Sequence, residues 1–125
     1  MPISMTRLIL YVHDVDRLQA FYHDHFGLPI IEEVAGEWAV LQAGAVEIAL
    51  HRVGEPYRRH AGAAGGSGSN AKIVFQVTQA LAALRTRLID AGVQMREIKR
   101  YDGLPYQMCD GCDPEGNVFQ LCQPD

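Results

Sequence analysis

Aromatic residues make up 8% of the 125 residues: four Phe, five Tyr and one Trp. Any surface that stacks on a flat ligand must draw on few rings, and Trp38 is the sole tryptophan. Cysteine is scarce. Three thiols make a poor disulfide framework and fit a reducing compartment. Cys109 and Cys112 form a lone C-x-x-C, yet they fall where a strand is expected. Residues three apart on a strand face opposite ways and lie roughly 10 Å apart at Cα, beyond the roughly 4.4–6.8 Å that a disulfide needs. No second C-x-x-C or His pair completes a zinc site, so these thiols read as structural. Long apolar runs are missing too. Leu8 to Val12 falls far short of the roughly 20 residues that span a bilayer. No block of one charge occurs: the net charge of −4 is scattered, which argues against a nucleic-acid partner. Met1-Pro2-Ile3-Ser4 lacks the basic region and apolar core of a secretory signal. The expectation is a cytoplasmic protein with neither membrane nor nucleic-acid partner.

What the chain does have is a repeat. Arg7-Leu8-Ile9-Leu10-Tyr11-Val12 returns as Lys72-Ile73-Val74-Phe75-Gln76-Val77, an offset of 72 − 7 = 65 residues, and Gly27 recurs as Gly92 at the same offset. Two copies in one register predict two equivalent supersecondary units. Module 1 runs from about 5 to 53, a glycine-rich connector from about 54 to 70, and module 2 from about 71 to 123. In module 1 a strand over 6–12 precedes a helix from Asp14 to His25. Leu18, Phe21, Tyr22 and Phe26 sit at helical spacing, Asp14 or Asp16 is placed to cap, and Gly27 to stop it. Strands follow near Pro29–Ala35, Glu37–Gln42 and Ala45–Arg52. Module 2 repeats the order, with a strand over Ala71–Val77 and a helix capped by Thr78 that carries Leu81, Leu84 and Leu88. Strands near Val93–Lys99, Pro105–Cys112 and Asn117–Cys122 complete it. The expected fold is α+β, β-α-β-β-β twice.

Strand parity separates two kinds of face. Leu8, Leu10 and Val12 oppose Arg7, Ile9 and Tyr11; Val46, Ile48 and Leu50 oppose Glu47, Ala49 and His51. In the second half Ile73, Phe75 and Val77 oppose Lys72, Val74 and Gln76, while Phe119 and Leu121 oppose Val118, Gln120 and Cys122. One face of each strand is apolar and suited to pack under a helix. The other carries single polar groups among small or apolar ones, the makeup of a small-molecule pocket.

Val12-His13-Asp14-Val15, Phe21-Tyr22, Phe26-Gly27-Leu28 and the turn Asp113-Pro114-Glu115-Gly116-Asn117 together resemble the vicinal oxygen chelate superfamily, which includes glyoxalase I, extradiol dioxygenases, fosfomycin-resistance enzymes and bleomycin-binding proteins. The resemblance covers almost the whole chain. It implies two βαβββ modules forming a curved mixed sheet around a cup, helices on the convex face, commonly as a homodimer. Metal-using members keep His, Gln or Glu at four inward positions, which correspond here to Arg7, Glu47, Lys72 and Gln120. Of these, Glu47 is a good ligand and Gln120 a modest one. Arg7 has no lone pair to give and does not deprotonate. Each of two cations would repel a divalent ion by about 4 kcal/mol per unit charge at 4 Å and an effective dielectric of 20. Adding His51 leaves too few ligands for a catalytic zinc, so the expectation is no metal and no cofactor.

Arg7 and Lys72 against Glu47 would leave such a cup net positive and favour an anionic ligand. Tyr11, Trp38 and Tyr106 are placed to stack on an aromatic one. His51 is a candidate wall contact, and Glu47 a candidate general base if burial weakens its acidity. Tyr57-Arg58-Arg59-His60 is a basic patch able to act as a lid or as a solvated loop. His13, His23 and His25 are expected at the surface. The expected function is metal-independent binding of a small organic anion or aromatic compound, in the manner of bleomycin-resistance-like sequestration; the alternatives are a metal-dependent glyoxalase-, lyase- or dioxygenase-type enzyme using Glu47 and Gln120, and a structural or regulatory dimer whose cup is filled by Arg7–Glu47–Lys72 contacts.

Overall fold

Asp14 starts the first helix as its composition suggests. In the computed structural model, which describes residues 2–56 and 70–125, its Oδ1 accepts a hydrogen bond from the Arg17 amide at 3.0 Å. The helix, α1, spans Val15–Phe26 and ends at Gly27, whose φ of 67° suits a residue without Cβ and lets its amide reach the His23 carbonyl at 2.9 Å. Around it lie β1 (Arg7–Val12), β2 (Ile30–Val34), β3 (Trp38–Ala43) and β4 (Val46–Arg52). They form one sheet in the order β1-β4-β3-β2, with β1 parallel to β4 and the remaining pairs antiparallel. A parallel pair needs a crossover, and α1 supplies part of it.

The apolar face of this sheet packs on α1. Leu18, Tyr22, Val12, Ala39, Leu41 and Leu50 are fully buried, and Ile48 nearly so. Burying each large side chain stabilises the unit by roughly 1.5–3 kcal/mol before entropy is counted. Leu8 and Leu10, on an edge strand, are only half-buried. His25 departs from the surface position expected of it. It is half-buried with its ring 4.9 Å from that of Phe21, because residues four apart on a helix share a face.

The second unit repeats the plan. Strands β5 (Lys72–Gln76), β6 (Gln94–Met95), β7 (Tyr106–Cys112) and β8 (Val118–Pro124) form a sheet ordered β5-β8-β7-β6, and α2 spans Leu81–Asp90. The chain divides into two compact units, Met1–Ala63 and Ala64–Asp125. Each is a βαβββ module. Residues 57–69, which include the basic patch at Tyr57–His60 and most of the glycine-rich connector, lie outside the described residues.

Two local expectations fail in module 2. Thr78 does not cap α2: the cap position is Ala80, which has no side chain able to accept. Gln123, from β8, takes over by accepting the Leu81 amide through Oε1 at 2.9 Å, so a distant strand satisfies a donor that a local cap would have served. The strand expected over Val93–Lys99 shrinks to Gln94–Met95 plus one bridge between Lys99 and Met108. There the Arg96 carbonyl accepts from Arg85 Nε of α2 at 2.8 Å, a bond that serves no strand ladder. The two cysteines behave as parity requires. Cys109 pairs in register with Leu121 and Cys112 with Val118, residues three apart on β8 that face opposite ways, and both thiols are free. Burial pushes the Cys109 thiol up from its ordinary range, so at neutral pH it stays protonated and inert.

The Asp113–Asn117 turn is a structural device. Asp113, 5% exposed, accepts the Glu115 and Asn117 amides through Oδ1 and the Asn117 side-chain amide through Oδ2, at 2.9, 3.0 and 2.9 Å. One carboxylate thereby ties together the hairpin from β7 to β8 and aligns the strand that carries Gln120.

Candidate functional site

Register puts the polar groups of module 1 on one face of its sheet, opposite α1. Arg7 is the neighbour of Glu47, and Glu47 of Gln42; two residues along, Ile9, Ala49 and Val40 align; two further, Tyr11, His51 and Trp38 form a third row. Ala49 and Val40 are fully buried and Ile9 is 43% exposed, so the middle row is an apolar strip between a charged row and an aromatic one.

In the charged row, two nitrogens of Arg7 converge on Glu47 Oε1, Nε at 2.8 Å and Nη2 at 2.7 Å. The same Nη2 meets Glu32 Oε2 at 2.9 Å, reaching from β1 to β2. The guanidinium carbon also sits 5.5 Å from the centre of the Trp38 ring, within cation–π range. The hydrogen bond to Glu47 is the chief cause holding the Arg7 guanidinium further up its already high range. These groups remain partly exposed, so solvent screening leaves little net stability in the pairs. Their effect is positional: Arg7 is fixed by three elements at once.

In the aromatic row, His51 lies between two rings, meeting Tyr11 edge-on at 5.3 Å and Trp38 edge-on at 5.7 Å. Tyr11 is 68% exposed. An exposed ring beside an exposed imidazole and a half-buried indole makes an apolar shelf open to solvent.

Module 2 carries a second cluster on the corresponding face. Lys72 Nζ donates to Asp110 Oδ2 at 2.8 Å, and Gln120 Nε2 donates to Asp110 Oδ1 at 3.0 Å. Burial alone would push the Asp110 carboxyl up. The hydrogen bonds from Lys72 and Gln120, with the charges of Lys72 and Lys99, outweigh it and hold the group below its ordinary value. A carboxyl depressed on folding adds stability that is present above its unfolded value, near 3.8, and disappears as pH falls through the folded one. The stability gap between wild type and Asp110→Asn is therefore expected to be widest near neutrality and to close below about pH 4, in denaturant melts run from pH 7 to 3. A gap that stays constant with pH would contradict this account of Asp110.

Several expectations need correction. Lys72 pairs with Asp110, a neighbouring acid on its own module. Neither cluster is net positive, since Arg7 faces two carboxylates and Lys72 faces one. Glu47 Oε1 is engaged by two guanidinium nitrogens, which makes Glu47 the fixed counter-ion of Arg7 rather than a poised base. Tyr106 belongs to module 2, on the face of Asp110, while Tyr11 and Trp38 share the module 1 shelf. Glu32 and Asp110 were missed altogether. Asp110 was accessible to parity reasoning, because it lies opposite Gln120 in an antiparallel pair. Glu32 was not. A register shift between Ile30 and Glu32 turns it onto the face of Arg7.

Residues 5–44 match the family model described as bleomycin resistance protein-like N-terminal. No curated protein matches the sequence. Solved structures align over nearly the full chain. A lactoylglutathione lyase from Agrobacterium tumefaciens gives a TM-score of 0.75 at 20% identity, covering 98% of this chain and 94% of its own. An antibiotic binding protein from Streptomyces sp. CB03234 gives 0.75 at 20% identity, covering 100% and 99%. The fosfomycin resistance protein FosX from Listeria monocytogenes gives 0.71 at 15% identity, covering 100% and 94%. The chain shares the fold of these proteins, two βαβββ modules, over nearly its whole length. At the four positions that the resemblance assigns to metal ligands, Arg7 and Lys72 are cations engaged with carboxylates, and Gln120 turns its amide nitrogen, a donor, toward Asp110. Among the described residues no three His, Cys, Asp or Glu lie close enough to share a metal ion. No chain segment among the described residues forms a helix long and apolar enough to cross a membrane.

Proposed function

We propose that this vicinal oxygen chelate protein binds a small, flat aromatic compound without a metal, on the face of module 1 that carries Tyr11, His51 and Trp38. The observation behind the reading is that row itself: three rings in edge contact, bordered by an arginine that two carboxylates already hold. A planar ligand gains area on the shelf and finds donors and acceptors fixed beside it at no further entropic cost. The similarity to an antibiotic binding protein supports a sequestering role. An anionic ligand would have to compete with Glu32 and Glu47 for Arg7, so aromatic character ranks above negative charge. The metal-dependent alternative would require Arg7 to release Glu47 and Gln120 to turn its amide over, each at the cost of a charge-assisted hydrogen bond. A cytoplasmic homodimer fits the same reading.

Trp38, the sole tryptophan, reports the site directly. Titrating planar aromatic compounds against its fluorescence is expected to give saturable quenching. A chelator should leave it unchanged, and Tyr11→Ala or His51→Ala should weaken it roughly three- to tenfold, the scale of one lost aromatic contact. Quenching abolished by chelator, with stoichiometric metal in the untreated protein, would instead establish the metal-dependent alternative.

A further inference from the structure

On the opposite side of the same sheet, a groove of about 290 Å³ runs between α1 and the edge strand β2. Its size lies just under that of ordinary ligand pockets, roughly 300–1,000 Å³, and suits a fragment-sized molecule. Asp16, Asp24 and Glu33 line it, with no lysine or arginine among the lining residues. His23 adds to the acceptors: its Nδ1 lies 3.0 Å from the Leu28 carbonyl, which only accepts, so Nδ1 carries the proton and Nε2 offers a lone pair.

Acidic residues alone mark no site, but Gln19 is a separate observation. This wall residue is 8% exposed, its Nε2 donates to Glu33 Oε2, and its Oε1 is buried with no hydrogen-bond donor among the described residues. Turning the amide over would not help, since it would set Oε1 against the Glu33 carboxylate. A donor introduced between Glu33 and Gln19 would satisfy the orphaned carbonyl and the carboxylate together. Glu33 is exposed on an edge strand, so it can swing outward to admit the donor, exchanging its bond from Gln19 Nε2 for one from the ligand. A bare metal ion does not meet the requirement, because no three acidic or histidine groups among the described residues converge. A molecule that spreads several N–H donors over a few ångströms does, with Ala20 and Ile30 to cover its apolar part.

We infer that the α1/β2 groove is a binding site for a small organic cation of the amidinium or guanidinium class, held by Glu33 and Gln19. The test uses the full chain labelled with ¹⁵N, titrated with benzamidinium and, separately, with neutral benzamide. Saturable shifts of the Gln19 side-chain amide and the Glu33 backbone amide are expected with benzamidinium. Binding should weaken about tenfold or more in Glu33→Gln, the scale of one charged hydrogen bond. Asp24→Asn, on the exposed helix face, should weaken it less. The amide spectrum of each variant verifies its fold, and Trp38 fluorescence should not respond, because the aromatic shelf lies across the sheet. Shifts that rise without saturating, that persist undiminished in Glu33→Gln, or that benzamide reproduces equally would overturn the assignment.

Discussion

Asp113→Ala is expected to cost about 3 kcal/mol of folding stability. The substitution removes one carboxylate but strands three donors: the Glu115 amide, the Asn117 amide and the Asn117 side chain. Water recovers part of the loss at Glu115, which is half-buried, and little at Asn117, which is buried. Asp113→Asn should cost less. Its carbonyl can still serve the two backbone amides, although its amide nitrogen would then face the Asn117 nitrogen, donor against donor. Urea melts give the ordering wild type, then Asn, then Ala. Equal midpoints for all three would show that the turn holds itself without the carboxylate. Since small domains are stable by only about 5–15 kcal/mol, a loss of this size should also reduce yield of folded protein.

The second large effect is expected at Gly111, where backbone freedom plays no part. A Cβ built there would lie 2.5 Å from Met95 Sδ and 2.5 Å from Phe119 Cζ, with Phe119 Cε1 at 2.9 Å. Met95 is half-buried and unbranched and can shift its sulfur aside. Phe119 is fully buried in the core of module 2, so its ring has no room to retreat. Gly111→Ala should therefore destabilise by roughly 1–3 kcal/mol, the range for overpacking a filled core. The cause is separable by a double mutant. Gly111→Ala with Phe119→Leu should be more stable than the sum of the two single losses allows, by about 0.5–3 kcal/mol, because the leucine lacks the ring edge that clashes. Strict additivity would mean that the ring is not what excludes a side chain at 111. Either loss would misalign β7 with β8, and with them Asp110 and Gln120, which face each other across that pair.

Much of the architecture was legible because it depends on short-range rules. Asp14 caps and Gly27 stops α1 through contacts within four residues, so composition alone reveals both. Alternation along β1, β4, β5 and β8 separates Arg7, Glu47, Lys72 and Gln120 from the core, and neighbours in these strands keep that parity. The start of α2 illustrates the opposite case. Its first donor is satisfied by Gln123, 42 residues away, and no inspection of residues around Thr78 could reveal that.

The polar clusters divide in the same way. Parity identified Arg7 and Lys72 as residues of the polar faces, but charge balance requires partners, and these come from other strands. Glu32 reaches Arg7 only because β2 carries one extra residue opposite β3, which reverses the alternation between Ile30 and Glu32. Asp110 joins Lys72 across two strand pairings. A positive hollow was the natural inference from the cations, and the carboxylates facing them remove it.

The amino-acid sequence by itself determined the duplicated βαβββ plan, the position of each helix in it and the side chains on each face of β1, β4, β5 and β8, because these follow from periodicity and from interactions within a few residues. Tertiary structure alone decided which charges neutralise one another, that three rings form a shelf on module 1, and that Gln19 lies buried with an unmet acceptor. Those outcomes depend on register between strands distant in the chain, where a single inserted residue turns a side chain from one face of the sheet to the other.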